Sequence, residues 1–386
     1  MSILPVTTKD LDKKYDEFFC PHLSIKINGT EVTADEKVLC RKASVIVTSG
    51  YESNICRVDL ADMESKLVNS KIEHSKSLSG ISVGSKIEVF MGYKCGNTKT
   101  LKRVFAGNIM TLDFSVEHPM RAVYHIEAMD VKVAMMGNCR SILRSKPDSE
   151  TNKYSEAVST VLDSYKSLDI KTNVKTTFTT EAPIEQHKQS DYDFIVSIAK
   201  KINHLFFISY DDSNVTANFV SYSDCNECVL KVIPDNHVLG FNREVSLSGQ
   251  ISGVTVRCNN KTDPTSPIEA TVKLSEVETI GSGSKTSDKL SKTIVNDDTI
   301  KLIIDQSATS VEAAKQIAKA ELTRTSMNLV GGQIMTLGIP ELEAGKYIEV
   351  SGFSQDADKK YFITQVEHIF TPTGYRTICK IGANKL

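Results

Sequence analysis

Apolar and polar residues alternate with period two over much of residues 22–130, the spacing of half-buried β-strands. Leu23-Ser-Ile-Lys-Ile27 is the first such run, and the Asn28-Gly29 pair behind it predicts a tight hairpin turn. Short runs over 43–48 and 54–60, and a Gly96-Asn97 turn flanked by strands, predict a small antiparallel barrel or sandwich. The pattern then repeats. Gly84-Ser-Lys-Ile-Glu-Val89 reappears near the C-terminus as Gly345-Lys-Tyr-Ile-Glu-Val350. A second alternating run follows each (105–114 and 361–370), then a short turn with proline (His118-Pro119 and Thr371-Pro372), then a third run (122–129 and 377–383). Two copies of one meander predict a duplicated β-domain.

Between the copies the period changes. Val158, Val161, Leu162 and Tyr165 have helical spacing behind Ser155, which the pattern makes an N-cap for a helix to about Lys166. Ser190 and Asp193 have capping-box spacing, and Phe194, Ile195, Ile198, Ala199 and Ile202 form an apolar stripe. Residues 205–210 read as a strand ending in an Asp211-Asp212 turn. Strand texture returns over 238–258. Residues 259–305 are polar and mostly loop-like, with strand runs only at 270–277 and 299–304. Ser310 then caps a helix to Met327, with Glu312 early and Arg324 late, as the helix dipole favours. The expected fold class is β-rich α+β, with two similar antiparallel β-barrel domains and an α/β insert. The first barrel takes residues 1–136 and the α/β domain 137–237. The second barrel takes 238–262 and 306–386, interrupted by a polar insertion at 263–305.

Composition narrows the function. A chain of 386 residues suggests roughly two to four domains. A net charge of −2 provides no electrostatic footprint for nucleic acid or an anionic membrane. Aromatic content of 7% without tryptophan is thin for a base- or sugar-stacking surface. No run reaches the roughly 20 apolar residues of a membrane span, and no signal-peptide core precedes Asp16, so synthesis and folding in a cytoplasm are expected. Nine cysteines, mostly isolated and several on strand positions, read as reduced thiols serving as small hydrophobes.

Several strings imitate catalytic motifs. Gly80-Ile-Ser-Val-Gly84 matches a nucleophile elbow, but a polar turn precedes it and a strand follows, so Ser82 is a turn residue. In Gly281-Ser-Gly-Ser-Lys-Thr286 the two glycines of a phosphate loop fall on Thr279 and Ser284, and a mobile turn is expected instead. His125-x-Glu127 with Cys225-x-x-Cys228 has zinc-deaminase residues, yet Asp224 stands where that motif needs proline. His125 and Glu127 share one strand face, where cross-strand polar pairing is expected, and a lone Cys pair lacks the second pair of a structural zinc site. The acid pairs Asp211-Asp212 and Asp297-Asp298 sit in turns, and His204 and His368 border strands singly. No residue is therefore assigned a catalytic, cofactor or metal role, and the chain is not expected to be an enzyme.

Five segments in order resemble the baseplate hub proteins of contractile phage tails, of the late control protein D type, and the N-terminal hub part of type VI secretion spike (VgrG) proteins. They are Gln189-Ser-Asp-Tyr-Asp-Phe-Ile195 with Ala199 and Leu205-Phe-Phe-Ile208; the alanine-rich helix from Ala313-Ala314 to Leu322; Gly338-Ile-Pro340; Gly345 to Val350 with Gly352; and His368-Ile-Phe370 with Gly374-Tyr-Arg-Thr377. The resemblance implies two barrels per chain and a homotrimer whose six barrels form a pseudo-sixfold ring, adapting a sixfold tail tube to a threefold spike. The spike proteins of type VI systems continue into a further barrel and needle. This chain stops at Leu386, so a separate spike protein is expected. The other expected partners are a tail tube or tube-initiator protein, baseplate wedge proteins and a tape measure protein. The particle would be a phage tail, a tail-like bacteriocin or another injection device, assembled in a bacterial cytoplasm. The competing reading is a two-barrel binding module, such as a distal tail or adhesin-like protein, and the low aromatic content disfavours it.

Overall fold

The computed structural model describes residues 6–68, 71–73, 75–78, 80–118, 121–145, 152–180, 183–259 and 265–386. The expected His118-Pro119 turn lies partly outside them. Helix α1 (Thr8–Tyr15) precedes a first set of strands: β1 (Pro21–Ile27), β2 (Val38–Thr48), β3 (Ile55–Asp62), β4 (Lys86–Cys95), β5 (Thr98–Glu117) and β6 (Arg121–Met129). A second set comes late in the chain: β10 (Cys228–Val232), β11 (Val238–Val245), β15 (Val330–Leu337), β16 (Tyr347–Val350), β17 (Lys360–Thr371) and β18 (Gly374–Ala383). Both sets belong to one mixed sheet with fourteen strands among the described residues.

The echo in the sequence is an echo in the backbone. The first set runs β2-β3-β6-β5-β4 and the second β11-β15-β18-β17-β16, antiparallel at every step. Gly84 and Gly345 open β4 and β16 with left-handed φ of +87° and +84°, which a residue without Cβ adopts freely. The Gly84 amide donates to Ile109 O (2.8 Å) and Ile109 N to Ser85 O (2.9 Å). The Gly345 amide donates to Ile363 O (2.9 Å) and Ile363 N to Lys346 O (2.8 Å). One residue later each long strand bulges, at Met110 in β5 and at Thr364 in β17. A second matched bulge falls at Arg41 in β2 and Leu239 in β11. Bulges are placed by specific local pairing, so their coincidence makes the repeat one of structure as well as of residues.

The copies differ at their margins. β1 pairs antiparallel with β4, whereas β10 pairs parallel with β16. The units are also joined: Gln365 to Phe370 of β17 pair antiparallel with Ala43 to Thr48 of β2. The described ladders thus make one continuous sheet of the two units, instead of two separately closed sheets. A single buried core runs beneath both units and the adjoining α/β module.

That module holds α2 (Lys132–Met136), α3 (Tyr154–Asp163), β7 (Ile170–Val174), α4 (Asp191–Ile202), β8 (His204–Tyr210) and β9 (Val215–Ser221). Its sheet order is β7-β9-β8. Helix α4 follows the sequence pattern: the Asp193 amide donates to Ser190 Oγ at 3.0 Å, and the Phe194, Ile195, Ile198, Ala199 and Ile202 stripe is buried. Helix α3 does not. Its N-cap is Lys153, without a side-chain cap, and Ser155 lies inside the helix, where its Oγ accepts the Thr177 amide. A tertiary partner took the hydroxyl that the local pattern assigned to a cap.

The stretch 238–258 divides. β11 joins the large sheet, while β12 (Gly253–Cys258) pairs with β13 (Ile268–Lys273) and β14 (Ile300–Ile304) in a separate three-stranded sheet under α5 (Val311–Ser326). This module has its own core, including Val254, Val256, Val272, Ile317 and Leu322. Among its described residues the polar 263–305 stretch thus holds β13 and β14, close to the two strand runs expected there. Ser310 caps α5 as expected, its Oγ accepting the Ala313 amide at 3.2 Å.

Candidate functional site

The residues that imitate catalytic motifs are scattered. Ser82 sits in the turn before β4, its hydroxyl 3.1 Å from Ser85 Oγ. His125 Nδ1 lies 2.7 Å from Asp59 Oδ1 and Glu127 pairs with Arg57 Nε at 2.7 Å. Both partners are directly opposite on β3, so these are two cross-strand pairs on one face. Cys225 and Cys228 flank the start of β10; burial pushes both thiols up, Cys225 to about 12, away from a metal-binding or nucleophilic thiolate. Asp211 accepts the Ser213 and Asn214 amides, a turn-forming use of the carboxylate. Among the described residues no three His, Cys, Asp or Glu side chains gather as a metal cage.

The 281–286 loop differs from the mobile turn expected. The Ser284 and Lys285 amides both donate to Leu386 O at 2.9 Å, Leu386 N returns a bond to Lys285 O, and Ser282 N donates to Lys360 O. The amides that a phosphate loop would offer to a ligand are spent on the end of the chain.

A polar cleft of about 420 Å³ lies between the α/β module and the second unit, lined by Lys102, Asp211, Asp224, Glu227, Glu343 and Lys346 among others. Its charges answer one another: Glu343 pairs with Lys102 and, at 3.0 Å, with Lys346, which reaches Glu227 at 3.0 Å. Groups already neutralised in pairs stitch two elements together and are poorly placed for proton transfer.

Buried ionisable groups lie where units and module meet, and sequence reasoning missed Lys132 and Asp130 among them. Lys132 is fully buried, its Nζ donating to the carbonyls of Glu52 (2.7 Å), Tyr51 (3.2 Å) and Gly50 (3.4 Å). Burial lowers its pKa to about 8, opposed by the charge of Asp130. Asp130 is buried too; desolvation raises its pKa against the pull of Lys132, and its carboxylate accepts the Asn54 amide at 2.9 Å. Asn54 Nδ2 bonds Ile208 O and Tyr210 Oη, so the network bolts the first unit to β8. At the seam between units, His368 is buried on β17. Its Nδ1 accepts from Tyr375 Oη at 2.7 Å and lies 3.2 Å from Thr377 Oγ1. Burial holds its pKa at about 3, so the imidazole stays neutral. Nothing in the local sequence marks Lys132 or Asp130, whose partners at residues 50–54 are distant in the chain, whereas His368, Tyr375 and Thr377 fall together in the closing segment that carries the resemblance.

What the molecule offers is a repeated sheet and its seams. The fold is that of phage tail and type VI secretion proteins. It is shared with the 43 kDa tail protein of prophage MuSo2 from Shewanella oneidensis, at a TM-score of 0.63 and 15% identity over 94% of this chain and 98% of that one. The tail protein from Neisseria meningitidis MC58 matches at 0.65 and 10% identity, over 94% and 97% of the two chains. An Escherichia coli component of the type VI secretion system, described as structurally similar to T4 bacteriophage tail proteins, matches at 0.57 and 11% identity, over 92% and 76%. Residues 20–371, roughly nine-tenths of the sequence, match the family described as the Alg8 N-terminal domain, and the chain belongs to that family. No curated protein matches it in sequence. No described helix is long and apolar enough to cross a membrane.

Proposed function

We propose that the protein is the central structural hub of a contractile tail or injection-system baseplate, a homotrimer that adapts a sixfold tube to a threefold spike. The observation that carries this reading is the duplication at hydrogen-bond register, with matched glycines, ladders and bulges. A chain with two equivalent units presents two equivalent surfaces, so three chains present six to a sixfold partner. The two α/β modules differ in topology and supply the features that stay threefold. The likeness to tail proteins supports a tail-associated place for this geometry. On this reading no reaction is catalysed, and the partners are a spike on one face and a tube protein on the other.

Native mass spectrometry of the full chain, alone and co-expressed with any spike-like protein encoded beside it, tests the reading. The expected species weighs about 128 kDa before any spike is added, three times the 42.6 kDa chain. A chain that stays monomeric in both preparations overturns the hub.

A further inference from the structure

The chain enters the first unit through a strained turn. Asp16, Glu17 and Phe18 take φ of +50°, +53° and +61° in succession, a left-handed turn between α1 and β1. The other described non-glycine residues with positive φ, Asn28, Asp169, Lys188 and Asn203, stand singly, and three of them are Asn or Asp. Those two types tolerate the left-handed region. Glu and the bulky Phe do so poorly, and each L-residue held there costs free energy. Such backbone persists only where its surroundings hold it.

What holds it is an arm clasped to the second unit. Val6 and Thr7 pair parallel with Leu230 and Lys231 of β10 and form the last strand at that end of the large sheet. Thr8 Oγ1 donates to Asp235. Asp12 Oδ1 lies 2.5 Å from His237 Nε2, and Glu341 Oε1 accepts from both Lys14 Nζ and Tyr15 Oη at 2.5 Å. These partners lie in the connections before β11 and β16. The Phe18 ring then packs among Tyr15, Tyr93 and His237, with centroids 5.6, 5.1 and 5.0 Å away.

We infer that residues 6–19 form a strap, latched to the second unit against the strain of the left-handed turn, and that the strap opens as a unit while the large sheet stays folded. Helix α1 has eight residues, too few to be stable without its contacts. It buries only Thr8, Leu11 and Tyr15, and the turn adds Phe18. A segment with so little buried apolar surface opens well below global unfolding. The strain favours the open arm, because a released turn is free to return to right-handed backbone. Opening uncovers the outer edge of β10 and the side of Tyr93 that Tyr15 and Phe18 cover. The strap does not rest on the hub reading.

Hydrogen exchange of the full-length protein, read by mass spectrometry as the protection of peptides from α1, β10, β1 and β4, tests the strap. The expected result is weaker protection in α1 than in β1 and β4. Two glycine substitutions at exposed sites four residues apart then read the strain by its sign. Glu17→Gly, at φ +53°, raises the protection of α1 about fivefold, because glycine adopts this backbone freely. Lys13→Gly, inside the right-handed helix, lowers it about threefold. Glu341→Gln, which removes the charge facing Lys14 and Tyr15, lowers protection in α1 and β10 and leaves β1 and β4 unchanged. If Glu17→Gly leaves protection unchanged or lowers it, the turn stores no strain and the proposal falls. Protection of α1 equal to that of β1 and β4 in the parent protein means that the arm opens only with the whole molecule, which overturns the strap. A loss in Glu341→Gln that spreads to β1 and β4 does the same.

Discussion

Gly84 and Gly345 hold the same place in the repeat, yet alanine should be tolerated at one far better than at the other. Both have left-handed φ, +87° and +84°, and forcing an L-residue there costs about 1–2 kcal/mol. Space separates them. A Cβ built on Gly84 meets nothing within 4 Å, whereas one on Gly345 would lie 2.6 Å from Phe207 Cζ. The Phe207 ring is buried in a cluster with Leu205, Val220, Tyr347 and Phe362 and has little room to retreat. Overpacking of this kind adds about 1–3 kcal/mol. Gly84→Ala should therefore cost about 1–2 kcal/mol and Gly345→Ala about 2–5 kcal/mol. Urea denaturation followed by far-ultraviolet circular dichroism measures both from the midpoints and slopes. In a Phe207→Leu background the excess at position 345 should shrink, because the smaller side chain vacates the contact. Equal costs for the two substitutions, or a gap that Phe207→Leu leaves unchanged, would refute the reasoning.

His368 predicts a pH dependence. Its pKa falls from 6.5 to about 3 on folding, so between those values the unfolded chain binds the extra proton and stability rises with pH. This contribution is complete above pH 6.5 and is lost as the pH falls toward 3, at about 1.4 kcal/mol per pH unit within the window. Urea midpoints between pH 4 and pH 7 should lose about one proton's worth of slope in His368→Gln; parallel curves for variant and parent would contradict the assignment. Lys132→Met should destabilise by about 3–5 kcal/mol, since it strands Asp130 and the carbonyls of Gly50, Tyr51 and Glu52. Adding Asp130→Asn should recover part of that loss in a double-mutant cycle, and strict additivity would show that the two side chains are not coupled.

Some of this architecture was legible in the residues because its causes are local. Asn28 and Gly29 both take positive φ between Pro21–Ile27 and Thr30–Glu31, as a two-residue hairpin turn requires. Ser190 and Ser310 cap helices because a hydroxyl three residues before an amide reaches it without help from elsewhere. The echo around Gly84 and Gly345 survived as matching hydrogen bonds because a glycine with positive φ and a period-two run specify a strand start wherever they occur.

Tertiary structure decided what depends on partners far along the chain. Ser155 lost its expected capping role to Thr177, and the strand texture over 238–258 divided between two sheets. Lys132 and Asp130 carry no local signal, and only the fold buried them together. The seam between units shows the division most clearly. β17 and β5 carry the same pattern, but only β17 finds β2 within its own chain. Alternation states that a strand has a buried face; which strand covers its edge is set by the path of the whole chain, through hydrogen bonds that no local pattern encodes.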